Sequence, residues 1–305
     1  MFRSLRRKLQ PYRWRMTLHR WCRPVLHADP ASFRHDSSSW RGRFPKTFAY
    51  HYVDPDSSSR LPLVLLGDEQ ILNWRRYSAA KYFGWLTESS AIIRKTIEAI
   101  LEKIGEIESA FEKVYTSDRR LLSQSACFEE APNGSTLPWV APLPRGFTKS
   151  RLVSIVASRK QMTEGHRLRD EAIGRFAPLD VFGQGRRPIQ KKENALWPYY
   201  FSVAVENARY PNYFTEKVTD CFASKTVPIY WGNPQIGNTF NPKGILGFHE
   251  IRREDLTAEL YHRLLPAVED NFQKTLNLKL PDDIIYQKIK SFLGRQKQQS
   301  NHKTQ

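Results

Sequence analysis

Single hydrophobic cores stop growing near ~250 to 300 residues, so a chain of 305 is expected to divide into two domains. A hydrophobic fraction of 40%, with 8 Trp, 13 Tyr and 17 Phe, excludes a wholly disordered chain, and three scattered cysteines, Cys22, Cys127 and Cys221, exclude a disulfide framework or a zinc site. The net charge of +17 calls for anionic partners such as phosphorylated substrates, anionic lipid or nucleic acid.

Residues 1–24 hold the cations Arg3, Arg6, Arg7, Lys8, Arg13, Arg15, Arg20 and Arg23 and no acidic residue. Interleaved with Phe2, Leu5, Trp14 and Trp21, they suit either peripheral contact with an anionic membrane or a solvated basic extension. No apolar run reaches the ~7 to 15 residues of a signal-peptide core or the ~18 of a membrane span, and with so few cysteines a cytoplasmic location is expected, the tails either touching the inner membrane face or staying solvated. The cations gather at the chain ends without a recognisable module, which argues against specific nucleic-acid binding.

Residues 25–60, rich in Pro, Ser, Asp and Arg, read as irregular, and with the basic run they form an extension over 1–60. Strands are expected at Leu61–Leu66 and Tyr82–Leu86, a helix over the Ile93, Ile97, Ile100, Leu101 and Ile104 stripe ending near Gly105, a strand at Phe111–Tyr115 and a short helix at Asp118–Leu122. The proline-rich stretch 130–150 reads as a domain linker, and Asn133-Gly134-Ser135 within it as a turn. Alternation restarts with a strand at Leu152–Ala157, a helix near Arg167–Phe176, a strand at Leu179–Phe182 and a Gly183-Gln184-Gly185 loop. A strand at Tyr200–Val205, a helix from Thr215 to Ser224 and a strand at Thr226–Trp231 then make one βαβ unit, although Pro228 argues against a central place for the last strand. Helices broken at Pro266 are expected between Asp255 and Leu280. The resulting division is 1–60 extension, 61–145 amino-terminal α/β domain, 146–280 carboxyl-terminal α/β domain and 281–305 basic tail.

Ligands of open α/β sheets sit beyond the carboxyl ends of the strands, which is where Glu88, Glu206 and Asn207 fall. Thr215 is placed to cap a helix whose first turn carries Glu216 and Lys217, a site suited to a diphosphate, although Glu216 can equally serve only the helix dipole. Asp54-Pro55-Asp56 has the Asp-x-Asp form of metal-dependent transferases but lies in a turn-forming stretch.

The string Val205-Glu206-Asn207, Tyr213-Phe214-Thr215-Glu216-Lys217, Val227-Pro228-Ile229-Tyr230-Trp231-Gly232 and Asn241-Pro242 resembles the donor-binding signature of the glycosyltransferase family 10 fucosyltransferases. The resemblance implies a GT-B fold of two Rossmann-like domains with a cleft between them, and inverting transfer of L-fucose from GDP-fucose to a glycan hydroxyl without a required cofactor. On matching positions, Glu216 meets the ribose, Lys217 and Tyr213 the diphosphate, and Asn207 with Glu206 the sugar. Arg167, or its neighbour Arg169, holds the phosphates. Trp85-Leu86-Thr87-Glu88-Ser89-Ser90 is similar to the family's base-carrying loop, with Ser90 where the family has Pro, and makes Glu88 the catalytic base; its other reading is a solvated loop carboxylate. Another sugar nucleotide, or a basic membrane- or nucleic-acid-binding protein with an inactive transferase domain, is the alternative function.

Overall fold

The computed structural model describes residues 24–33 and 47–302; the basic run at 1–23 lies outside them. The chain opens with β1 (Val25–Ala28), the short α1 (Pro30–Phe33), β2 (Ala49–Tyr52), β3 (Val64–Gly67) and β4 (Tyr82–Trp85). Then come α2 (Arg94–Glu102), α3 (Ile104–Ala110), β5 (Phe111–Thr116), α4 (Arg119–Leu122) and β6 (Phe128–Glu130). These strands form one sheet in the order β2-β1-β3-β4-β5-β6, every pair parallel. All four residues of β3 are buried, as expected of a parallel strand covered on both faces.

The second sheet is built from β7 (Arg151–Val156), β8 (Asp180–Phe182), β9 (Tyr199–Val205), β10 (Val227–Trp231) and β11 (Leu246–Gly247) in the parallel order β11-β10-β9-β7-β8. Between them run α5 (Glu164–Arg175) and α6 (Glu216–Ala223), and after them α7 (Ala258–Leu276) and α8 (Pro281–His302). Val153, Ile155, Phe201, Val203, Val227 and Ile229 form the centre of this domain's core. Two parallel α/β sheets facing a shared cleft constitute the expected GT-B architecture.

Four expectations are corrected. Residues 25–60 are not irregular throughout, because β1 and β2 lie there; each is four residues long and is held by distant parallel partners, so no local periodicity reveals it. Within the expected tail 281–305, residues 281–302 are not a loose tail. Their helix α8 returns to the first sheet, where Ile285 and Ile289 pack with Leu26, Phe33 and Phe48, and Asp282 accepts from Tyr50 Oη at 2.9 Å. Pro266 does not break α7, since it lies on the exposed side while Tyr261, Val268 and Phe272 bury the opposite face. The isoleucine-striped helix is two segments, parted at Lys103 rather than at Gly105.

Pro228 does occupy an inner strand, but the two-residue β11 pairs only Ile229 and Tyr230 and leaves Pro228 outside its register. Among the described residues no helix is long and apolar enough to cross a membrane. Because α8 covers one face of the first sheet, Ile285→Ala is expected to lower unfolding free energy by about 2 to 5 kcal/mol in equilibrium urea unfolding. A loss below about 0.5 kcal/mol, the level of an ordinary surface change, would show that α8 is peripheral to the fold.

Candidate active site

The donor-side geometry starts where β9 ends. Glu206 is fully buried; its Oε1 accepts from Thr215 N at 2.9 Å and its Oε2 from Thr215 Oγ1 at 2.6 Å. Burial pushes the Glu206 carboxyl up, against the pull of the Lys217 ammonium and the Thr215 bonds. Thr215 caps α6, and its hydroxyl also meets Lys217 N at 3.4 Å and Lys217 Nζ at 3.1 Å. Glu206 therefore does not line the cleft, contrary to its expected place beside the sugar: it anchors the loop and helix that do. Neighbouring backbone is equally committed, since a Cβ on Gly165 would lie 1.7 Å from the Glu206 carbonyl and one on Gly232 2.5 Å from Glu206 Cγ.

The clamp presents Glu216 and Lys217 side by side. Lys217 Nζ is 3.3 Å from Glu216 Oε1, and Lys192 Nζ is 3.6 Å from the same oxygen and 2.5 Å from Asp220 Oδ2. Burial opposes ionisation of Glu216, but the Lys217 and Lys192 ammonium groups outweigh it and hold the carboxyl at about 2. Lys192 also sits 4.9 Å above the ring of Trp139. The backbone N–H groups of Trp139 and Val140 in turn donate to Asp220 Oδ1 at 2.6 and 3.1 Å.

Of the arginine pair on α5, the structure brings Arg169 to the cleft and leaves Arg167 exposed, away from the cavities that the other site residues line. Arg167 is thus displaced from its expected position, because the helix turns residues two apart to different sides. Arg169 is buried, with Nε and Nη2 donating to the Val205 carbonyl at 3.0 and 2.7 Å and Nη2 to Asn207 Oδ1 at 2.8 Å. With its oxygen so engaged, Asn207 keeps its amide donors for the cleft. Tyr213, stacked on Tyr210 with centroids 4.6 Å apart, lines the cleft wall.

On the amino-terminal side, Glu88 follows β4 on an exposed loop that Asp68 holds. Asp68 Oδ1 accepts from Thr87 N at 2.8 Å and Glu88 N at 3.3 Å, and Oδ2 accepts from Thr87 Oγ1 at 2.5 Å. Burial pushes the Asp68 carboxyl up, these bonds partly offsetting it. Asp29 repeats the arrangement one strand back, accepting from Gly67 N at 2.8 Å.

Two contiguous cavities, of about 560 and 520 Å3, fill the cleft and share Glu88, Trp139, Asn207, Glu216 and Lys217. A cavity of about 620 Å3 beside α8 gathers none of the predicted residues, so size does not locate the chemistry. Asp56 of the Asp-x-Asp triplet lies on a turn and pairs with Arg76 at 2.5 Å, outside the cleft. Among the described residues no group of three or more His, Cys, Asp or Glu is placed to hold a metal ion. Sequence reasoning missed Lys192, Asp220, Asp68 and Trp139; of these only Asp68, directly after β3, stood at a strand end where a signal could be read.

A parallel α/β domain with a capped helix start, two carboxylates and two lysines beside its strand ends has the make-up of a site for a phosphorylated ligand. Residues 147–249, within the second domain, match the model for glycosyltransferase family 10 (fucosyltransferase) C-term. The chain is 30% identical over 161 residues to the alpha-(1,3)-fucosyltransferase FucT of Helicobacter pylori, covering 50% of this chain and 32% of that protein. It thus spans about a third of the length of that relative. Among solved structures, an alpha1,3-fucosyltransferase is similar with a TM-score of 0.49 at 16% identity over 90% of both chains. An alpha1,3-fucosyltransferase with GDP gives 0.48 at 18% identity over 90% of each chain.

The depressed Glu216 carboxyl has a signed consequence. It stabilises the fold fully above its ordinary value of 4.5, and that contribution is lost as pH falls from there through about 2. Glu216→Gln is expected to cost on the order of 3 kcal/mol in unfolding free energy near neutral pH, with the gap to wild type narrowing below about pH 4.5. A gap unchanged down to about pH 3 would contradict the assignment.

Proposed function

We propose that this chain is an inverting glycosyltransferase of the α-1,3/1,4-fucosyltransferase type, moving L-fucose from GDP-fucose to a hydroxyl of a glycan acceptor. The observation that carries the reading is that Glu88 from one domain and Asn207, Glu216 and Lys217 from the other line the same cavity. The family 10 match over 147–249 and the Helicobacter pylori relative support the donor class.

In this mechanism Glu88 accepts the proton of the acceptor hydroxyl as its oxygen bonds to the anomeric carbon. The carbon–oxygen bond to the β-phosphate breaks on the opposite face, its electron pair leaving with GDP. Lys217 meets the growing charge on the diphosphate, and it is held for that by Thr215 and Glu216 before donor arrives. Glu216 accepts the ribose hydroxyls, and remains ionised because Lys192 and Lys217 flank it. Asn207, oriented by Arg169, donates to the sugar side. Fixed cations do the work of a divalent ion, so no cofactor is required.

Calorimetric titration with GDP-fucose, GDP-mannose and UDP-sugars tests the donor: GDP-fucose is expected to bind, and binding of UDP-sugars alone would overturn the reading. Glu88→Gln is expected to lower kcat by about 10² to 10⁴-fold with GDP affinity retained, and full transfer in that variant would reject Glu88 as base. Transfer is expected to persist in EDTA, and its loss there would reject the metal-free mechanism.

A further inference from the structure

The segment 133–140, which reads in sequence as a turn within a linker, contacts both walls of the cleft. On the amino-terminal wall, Asn133 Oδ1 accepts from Ser117 Oγ at 2.9 Å, and Gly134 N donates at 3.0 Å to the carbonyl of Thr87, the residue before Glu88. On the carboxyl-terminal wall, Ser135 Oγ lies 3.5 Å from Glu216 Oε2 and accepts from Trp139 Nε1 at 3.2 Å. One turn further along α6, Thr219 Oγ1 donates to the Thr136 carbonyl at 3.1 Å and Asp220 accepts from the Trp139 and Val140 N–H groups.

Consecutive residues therefore touch the loop that carries Glu88 and the first turn of α6, which carries Glu216. There is little slack between them: a Cβ on Gly134 would stand 3.1 Å from Thr87 Cβ. Four residues of the segment, Asn133, Gly134, Ser135 and Trp139, also line the 560 Å3 cavity. A connector whose only task is to join domains is left loose, because ordering each residue costs about 1 to 2 kcal/mol of backbone entropy. This one is ordered by side-chain and backbone bonds along its length.

We infer that residues 133–140 are a spacer within the active site, with Gly134 and Ser135 as positioning residues that fix the Glu88 loop relative to Glu216. This rests on the donor reading above. A donor that engages Glu216 also bears on Ser135, and through Gly134 it orders the Glu88 loop, so donor occupancy and placement of the base are linked. Neither residue takes part in proton transfer or bond making.

Hydrogen–deuterium exchange with GDP as the probe tests the inference. In the wild type, GDP is expected to slow exchange at the start of α6, across 133–140 and at 87–90. In Ser135→Ala, GDP is expected to bind within about tenfold of wild-type affinity, since the hydroxyl's contact with Glu216 is long, at 3.5 Å, and its bond from Trp139 Nε1 is between neutral groups. It should still protect α6 but no longer 87–90. Protection of 87–90 that survives in Ser135→Ala, or that is missing in wild type while α6 is protected, would overturn the inference. No GDP binding to wild type would instead remove the donor reading beneath it. Gly134→Ala gives a ligand-free check: its methyl is expected to speed exchange at 87–90 while leaving α6 unchanged, and unaltered exchange at 87–90 would count against the spacer.

Discussion

Both oxygens of Glu206 are committed to Thr215, and the side chain has no contact with water, so the end of β9 and the start of α6 cannot move independently. Hydrogen bonds to a charged group contribute about 1.5 to 3 kcal/mol each when formed, and leaving such a group buried without them costs more. The Thr215 cap, the first turn of α6 and the Glu216 and Lys217 side chains are thereby placed before any ligand arrives. Gly165 and Gly232 are the sequence's accommodation to this clamp, because a side chain at either position would collide with Glu206.

The amino-terminal sheet uses the same physics at smaller scale. Asp29 after β1 accepts from Gly67 at the end of β3, and Asp68 after β3 accepts from Thr87 and Glu88 after β4. Each carboxylate, Asp29 buried and Asp68 partly so, satisfies backbone donors of the neighbouring strand end, where the ladder of sheet bonds has run out. The exposed Glu88 loop is thus tied from below, and its position follows from the sheet rather than from the loop's own sequence. The cleft is where two such sets of tied strand ends meet.

What the sequence makes legible follows from how far apart the interacting residues lie. Glu206, Asn207, Thr215, Glu216 and Lys217 occupy one βαβ unit, so periodicity and spacing show the elements, and the resemblance to the family 10 donor signature points to the site. Only the division of labour was misread, since a carboxylate at a strand end looks the same whether it faces the cleft or, like Glu206, the core. Lys192 is held by Asp220 and Glu216, more than twenty residues away on another element, and nothing around Lys191-Lys192 marks it. The helix α8 carries Ile285, Ile289 and Phe292 at helical spacing, yet its second half, beyond Gly294, is wholly polar with Arg295 and Lys297, and its partners lie in the first sheet. Arg167 and Arg169 differ only in which side of α5 they face.

The central claim is that Glu206 builds the donor site without touching the donor. A crystal structure of the protein with GDP tests it directly. The account predicts both Glu206 oxygens still bonded to Thr215, with the nucleotide meeting Glu216, Lys217 and Asn207. A Glu206 carboxylate released from Thr215 and bonded to the nucleotide would contradict it.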